Sequence, residues 1–241
     1  MSLWSNGLAR AVAAFIFIGG MGTIPLPAQQ LDAASLIQHI DASVQARIDH
    51  VAEYTVTEHY AVFRNNDETH PAAEMTVKTV YRKDHGKSYT ILSESGSQLI
   101  RSEVLGSILE NEKRMSLPGT RETALITSAN YELNLKSAEK QTLAGRECLV
   151  FALKPKRMSP YLFDGTLWVD AKDFSIVQLE GMAAKSHSFL TGPAQVSRQY
   201  AMVSGFPMAT HAKAVSNSFL LGQTIVTIDY TGYQVQHDSA R

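Results

Sequence analysis

The segment Asp84-His85-Gly86-Lys87-Ser88 holds residue types that can cradle a phosphate, glycine for close backbone approach, lysine for charge and serine for a hydroxyl. The spacing fails: a phosphate loop needs a second glycine five positions before Gly86, and that residue is Tyr81. The residues after it alternate as a strand does, so no helix N-terminus follows to receive the anion. Acyl transfer is equally unsupported, because no Gly-x-Ser-x-Gly elbow occurs, and no His-Glu-x-x-His pair marks a zinc hydrolase. Eight histidines stand at 39, 50, 59, 70, 85, 187, 211 and 237, none with another three to five residues away. A metal would need convergence from separate strands, His187 with His211 for example; exposed or singly bonded histidines are the simpler expectation, and no metal or other cofactor is expected. Cys148, the single cysteine, sits in the apolar run Cys148-Leu-Val-Phe-Ala-Leu153 and reads as a small buried hydrophobe. The acids alternate outward on strands, which nominates no hydrolytic pair.

Two further segments stand out. Lys154-Pro-Lys-Arg-Met-Ser-Pro-Tyr-Leu-Phe163 joins a basic cluster to apolar residues. It reads either as a loop touching an anionic lipid surface or a cavity rim, with transient membrane contact, or as an ordinary solvated turn. Ala183-Ala-Lys-Ser-His-Ser-Phe-Leu-Thr-Gly-Pro-Ala194 reads either as a movable flap or as a long hairpin loop.

Composition narrows the classes. The chain has 241 residues, 44% hydrophobic and 19% charged, with 22 basic against 23 acidic side chains, which fits a folded globular protein and excludes a disulfide scaffold or a disordered tail. A near-neutral total without a basic block argues against nucleic acid as a partner. Residues 1 to 28 read as a secretory signal: Arg10 precedes the apolar run Ala11 to Ile18, and Pro25-Leu-Pro-Ala28 supplies the cleavage region. A spanning helix needs about 20 apolar residues, and Gly19, Gly20, Gly22, Pro25 and Pro27 break this one. The remaining 29–241 is expected to be one soluble domain, periplasmic or secreted, with no lipid-anchoring cysteine at its start.

The elements that would position any site follow from periodicity. Leu36, Ile37, Ile40, Val44, Ile48 and Val51 recur at three- and four-residue steps, predicting a helix capped by Asp32. Tyr54, Val56, Tyr60 and Val62 then alternate with polar residues as a long strand ending at Asn65. Met75, Val77, Thr79 and Tyr81 form the next strand, and a turn at Asp84-His85-Gly86 leads into a third through Tyr89 to Leu92. Leu99, Ile100, Val104, Leu105, Ile108 and Leu109 restore a helical stripe that ends before Pro118-Gly119. From Tyr131 only strands are expected: Tyr131, Leu133 and Leu135, then the run after Gly145, then 161–170, 174–183, 195–204, 208–219 and 223–235. About ten consecutive antiparallel strands twist too strongly to stay flat. The fold class is mainly β (α+β): an incomplete barrel of about ten strands, with an N-terminal and an internal helix covering its concave side.

Three features carry a family resemblance: the exported start leading into a helix and a long first strand, the segment Leu143-Ala-Gly-Arg-Glu-Cys-Leu-Val-Phe-Ala-Leu-Lys-Pro155, and the hairpin Gly165-Thr-Leu-Trp-Val-Asp-Ala-Lys-Asp-Phe-Ser-Ile-Val-Gln-Leu-Glu180. Together they resemble the periplasmic lipoprotein-carrier superfamily of LolA, LolB and the lipid-sensing domain of RseB. The resemblance implies non-catalytic binding of lipid or lipoprotein acyl chains in an apolar half-barrel, for lipoprotein sorting or envelope sensing. The candidate cavity-facing residues are Tyr54, Val56, Tyr60, Val62, Met75, Val77, Leu133, Leu135, Phe174, Ile176, Val226 and Ile228, of which fewer than half are expected to touch a ligand. The alternatives are an envelope protein-interaction module whose core is filled by its own side chains, and an exported hydrolase with residues that converge only in space.

Overall fold

The computed structural model describes residues 32–65, 67–186, 193–218 and 222–238; the predicted export segment and the 187–192 stretch, with His187 and Phe189-Leu190, lie outside them. The first helix, α1, spans Ala33–His50 and buries Leu36, Ile40, Val44 and Ile48, the predicted stripe. Each such aliphatic side chain contributes about 1.5–3 kcal/mol when fully withdrawn from water. Asp32 precedes the helix as expected but caps it only through its backbone, its carbonyl accepting from Leu36 N at 3.1 Å while its carboxylate makes no capping bond.

Ten antiparallel strands form one sheet in the order β3-β2-β1-β10-β9-β8-β7-β6-β5-β4. They are β1 Val51–Arg64, β2 Ala73–Arg82, β3 Gly86–Gly96, β4 Tyr131–Leu143, β5 Arg146–Pro155, β6 Phe163–Asp170, β7 Ile176–Ala183, β8 Gln195–Val203, β9 Phe206–Ser218 and β10 Gly222–His237. From β4 onward each strand pairs with its sequence neighbour, and β10 returns to pair with β1, so among the described residues β3 and β4 are the edges of the sheet. The sheet is therefore an incomplete barrel, as its alternation predicts. The internal helical segment covers 98–115: a turn Gln98–Ile100, a π-helical stretch Arg101–Gly106, and the helix α2, Ser107–Met115.

The core divides into two clusters. In one, Leu105 and Leu109 pack against Val56, Tyr60, Val77, Met208 and Ile228 from β1, β2, β9 and β10. In the other, α1 packs Leu36, Ile40 and Val44 against Tyr131, Leu133, Phe151, Leu153, Leu167 and Leu179 from β4 to β7. Each helix thus serves one wing of the sheet.

Two strand starts differ from the sequence reading. Tyr161 lies before β6, and Phe174 belongs to the β6–β7 turn, where it takes a left-handed φ of 57°. The turn is organised by Asp170, whose Oδ1 accepts from Lys172 N and Asp173 N. Close strand approach at the other end of this hairpin explains a glycine pair: Gly165 faces Gly181, and a Cβ on Gly165 would lie 2.0 Å from the Glu180 carbonyl oxygen. Gly165→Ala is expected to cost about 2–3 kcal/mol, because backbone cannot yield as a side chain can. Urea unfolding measures it; an unchanged midpoint would contradict this close approach.

Candidate functional site

Between the two helix-covered wings, the concave face holds a half-enclosed cavity of about 750 Å³. Its floor is built by small residues at the middle of the sheet, Ala212, Ala214 and Ser216 on β9, beside Val226 and Ile228 on β10 and Val196 on β8. Alternation places those β9 residues on the inner face, and their short side chains leave room that the larger residues of the wings fill elsewhere. Val44 and Ile48 of α1 form one wall, Val104 and Ile108 of the internal helix the other, and Ile176 and Leu179 of β7 extend the floor. The volume lies in the range of about 300–1,000 Å³ usual for small-molecule sites.

The basic-apolar segment after β5 closes part of the rim. Pro160, Tyr161 and Phe163 line the cavity, while the charges are engaged locally: Lys156 Nζ donates to Ser128 O at 2.6 Å, and Arg157 donates to Asn130 Oδ1 at 2.8 Å and to Thr123 O. Of the two readings, the rim position is the one the geometry adopts. The Arg114 guanidinium donates to Tyr161 Oη and joins α2 to this rim.

A charged cluster sits at one end. Lys87 Nζ lies 2.6 Å from Glu112 Oε2 and 3.5 Å from Glu58 Oε1, and the Tyr60 hydroxyl donates to the other oxygen of Glu58. Tyr89 Oη donates to Glu112 Oε2 at 3.2 Å. Glu58 is wholly buried, and the Lys87 side chain is only 15% exposed. Burial opposes the Lys87 charge, but Glu112 and Glu58 outweigh it and hold the ammonium well above its ordinary pKa. Burial opposes the Glu112 charge too; Lys87, then Arg198, outweigh it and hold the carboxyl below its ordinary value. Burial also pushes the Tyr54, Tyr60 and Tyr89 hydroxyls upward. At neutral pH the lysine is therefore protonated and the phenols are neutral, so neither is poised as a nucleophile.

The Gly86-Lys87 turn has its purpose here. Gly86 has φ +72°, and a Cβ on it would meet Ser116 Oγ at 2.6 Å. Ser116 Oγ accepts from Lys87 N at 2.7 Å and donates to Lys113 O at 2.7 Å, tying β3 to the end of α2.

Four of the twelve nominated residues, Tyr54, Ile176, Val226 and Ile228, line the cavity. Val56, Tyr60, Val62, Met75 and Val77 lie in the core beneath the internal helix, and Leu133 lies in the core beneath α1, with Leu135 packed against it. Phe174, off its predicted strand, stacks on His39 at 4.6 Å beside a separate hollow of about 320 Å³. The sequence reading omitted Glu58, Lys87, Glu112 and Arg198. Glu58 and Arg198 were detectable as charges sharing strand parity with apolar residues, Val56 and Tyr60 in one case, Val196 and Tyr200 in the other. Cys148 is buried as expected, and burial raises its thiol pKa. Among the described residues no group of three histidine, cysteine or acidic side chains could hold a metal ion, and no helix is long and apolar enough to cross a membrane.

No protein-family model and no curated protein matches the sequence. Among solved structures the chain is similar to a putative outer membrane lipoprotein-sorting protein domain from Vibrio parahaemolyticus, at 12% identity and TM-score 0.46, covering 82% of this chain and 91% of that one. It is similar to a LolA superfamily protein from Nitrosomonas europaea, at 12% identity and TM-score 0.45, covering 85% and 93%. A DUF1329 family protein from Desulfovibrio piger is similar at 11% identity and TM-score 0.41, covering 83% and 92%.

Proposed function

We propose that the chain is a non-enzymatic binding protein that takes the acyl chains of a lipid or lipoprotein into the half-barrel, after export to the periplasm or beyond, for lipoprotein sorting or envelope sensing. The observation that carries this reading is the roughly 750 Å³ cavity with an aliphatic floor and two helical walls. A buried methylene is worth roughly 0.8 kcal/mol, so ten would supply about 8 kcal/mol gross. Lost ligand freedom offsets several kcal/mol of that, leaving an exchangeable complex of the kind a carrier or sensor needs. Native mass spectrometry of the gently purified protein tests it. The expected spectrum shows co-purified lipid, or a one-to-one adduct after addition of hexadecanoate; a bare chain that ignores the probe would count against the reading.

A second reading is favoured by one edge. In β3, Ile91 and Leu92 are 52% and 56% exposed on an eleven-residue strand with no described strand on its outer side, a surface suited to strand addition by another envelope protein.

A further inference from the structure

Arg198 breaks the pattern of the cavity floor. It lies on β8 between Val196 and Tyr200 on the same face, with Leu179 of β7 and Ala212 of β9 directly opposite it, and all of these line the cavity. Its Nε is buried and has no hydrogen-bond partner, and Arg198 forms no ion pair with any described carboxylate. A guanidinium among aliphatic neighbours is costly unless something pairs with it. Tyr230, Tyr200 and then Glu112 act on Arg198 through space, and Tyr200 supplies one hydrogen bond, but the Glu112 carboxylate is already bound by Lys87 and Tyr89.

The remaining wall charges do not supply a partner. Lys87 is matched by Glu112, Arg121 by Glu122 at 2.8 Å, and Lys213 by Glu68 at 2.8 Å. Glu58 is held by Lys87 and Tyr60. Counted together these groups balance, Arg47, Lys87, Arg121, Arg198 and Lys213 against Glu58, Glu68, Glu103, Glu112 and Glu122, but Glu58 and Glu112 share Lys87, and no described carboxylate is in ion-pair contact with Arg198.

We propose that Arg198 receives the anionic end of the bound amphiphile, so that the cavity selects acyl chains ending in a carboxylate or phosphate over neutral chains of equal length. The inference rests on the acyl-chain reading above and specifies it. A planar guanidinium offers parallel N–H donors to two oxygens, which a carboxylate and a phosphate both present and an alcohol does not. In an apolar surround, such a charge-assisted contact strongly favours the anion.

Calorimetric titration of the whole exported chain with hexadecanoate, hexadecyl phosphate and hexadecanol tests this. Both anions are expected to bind about ten- to a hundred-fold tighter than the alcohol. Arg198→Met should bring both anions down to the alcohol's affinity without changing the alcohol, and Arg198→Lys should retain a preference for anions. Tighter hexadecyl phosphate assigns a phosphate head group, and tighter hexadecanoate a free fatty acid. Equal affinity for all three in the unaltered protein overturns the proposal, as does an Arg198→Met variant that weakens all three alike. Failure of every probe to bind would instead overturn the acyl-chain reading itself.

Discussion

Lys87→Met is expected to lower the free energy of unfolding by about 3–5 kcal/mol, the usual cost of removing one partner from a buried ion pair. Methionine retains most of the aliphatic stem, so the loss reports charge rather than volume. Two carboxylates are affected at once: Glu58, with no solvent exposure, and Glu112, at 19%. Glu58 keeps its bond from Tyr60, and Glu112 keeps its bond from Tyr89, which is why the loss stays within that range. Adding Glu58→Gln to Lys87→Met should recover part of the stability, since a neutral amide leaves no unpaired buried charge; the coupling is expected at about 0.5–3 kcal/mol. Urea unfolding at neutral pH measures each variant. A loss below about 1 kcal/mol for Lys87→Met would show that water reaches the cluster and screens it.

The same cluster sets the pH profile. The Glu112 carboxyl titrates below its ordinary 4.5 in the folded chain, because Lys87 and Arg198 outweigh the opposing effect of burial. Its stabilisation is thus complete above pH 4.5 and is lost as pH falls through the lower folded value. Lys87 titrates well above its ordinary 10.5, so its stabilisation is complete below that pH and is lost as pH rises further. The unaltered protein should keep a level unfolding midpoint from about pH 5 to pH 10. In Lys87→Met the acid limb should reverse, with stability rising as pH drops from 7 toward 5, because burial then acts on Glu112 without its main opposing charge and favours the proton.

The fold was legible because it depends on patterns that one sequence displays. Leu36, Ile40, Val44 and Ile48 announce α1 by spacing alone, and β1 is visible in Tyr54, Val56, Tyr60 and Val62. Two of the three features that carry the family resemblance prove to be joined: Arg146, after Gly145, donates to Asp170 Oδ2 at 2.7 Å, to Ser175 Oγ at 2.7 Å and to Asp173 at 3.2 Å. That signature is therefore a structural clamp on the β6–β7 turn, which explains why it points to a fold and names no ligand. Phe174 was misplaced because its side chain suits a strand, while the turn requires a left-handed residue there.

The site was less legible, for a physical reason. Choosing the most apolar residue at each inward position selects the side chains that fill the core, whereas a cavity exists where inward residues are small. Ala212, Ala214 and Ser216 carry little hydrophobic signal, so a search for large apolar residues passes over the floor. Charges at inward positions were excluded by the same rule, although Arg198 on β8 lines the hollow and Glu58 on β1 lies buried next to the Lys87 and Glu112 that line it. In the sequence Lys87 stands out only as part of a failed phosphate loop, and its partner Glu112 belongs to an acidic-basic run on α2 that reads as a solvated helix face.

Ala214→Trp follows from that account of the floor, and it should weaken acyl binding without harming the fold. Ala214 is half-buried, opposes Val226 on β10 and Val196 on β8, and points into the cavity. A tryptophan, able to bury about 150–250 Å² of surface, would lie across the floor where the chain of a ligand must run. In a filled core such a substitution costs about 1–3 kcal/mol through strain. Into an open hollow it removes apolar surface from water, and the melting temperature should hold or rise by a few degrees. Binding of hexadecanoate should weaken at least about tenfold, because the displaced methylenes, each worth roughly 0.8 kcal/mol, lose their contacts. The two readouts move in opposite senses only if the space is vacant and used. A fall in melting temperature with hexadecanoate affinity intact would mean that the ligand sits elsewhere and that β9 is packed, a result that no adjustment of the head-group contact at Arg198 could reconcile with a cavity binding site.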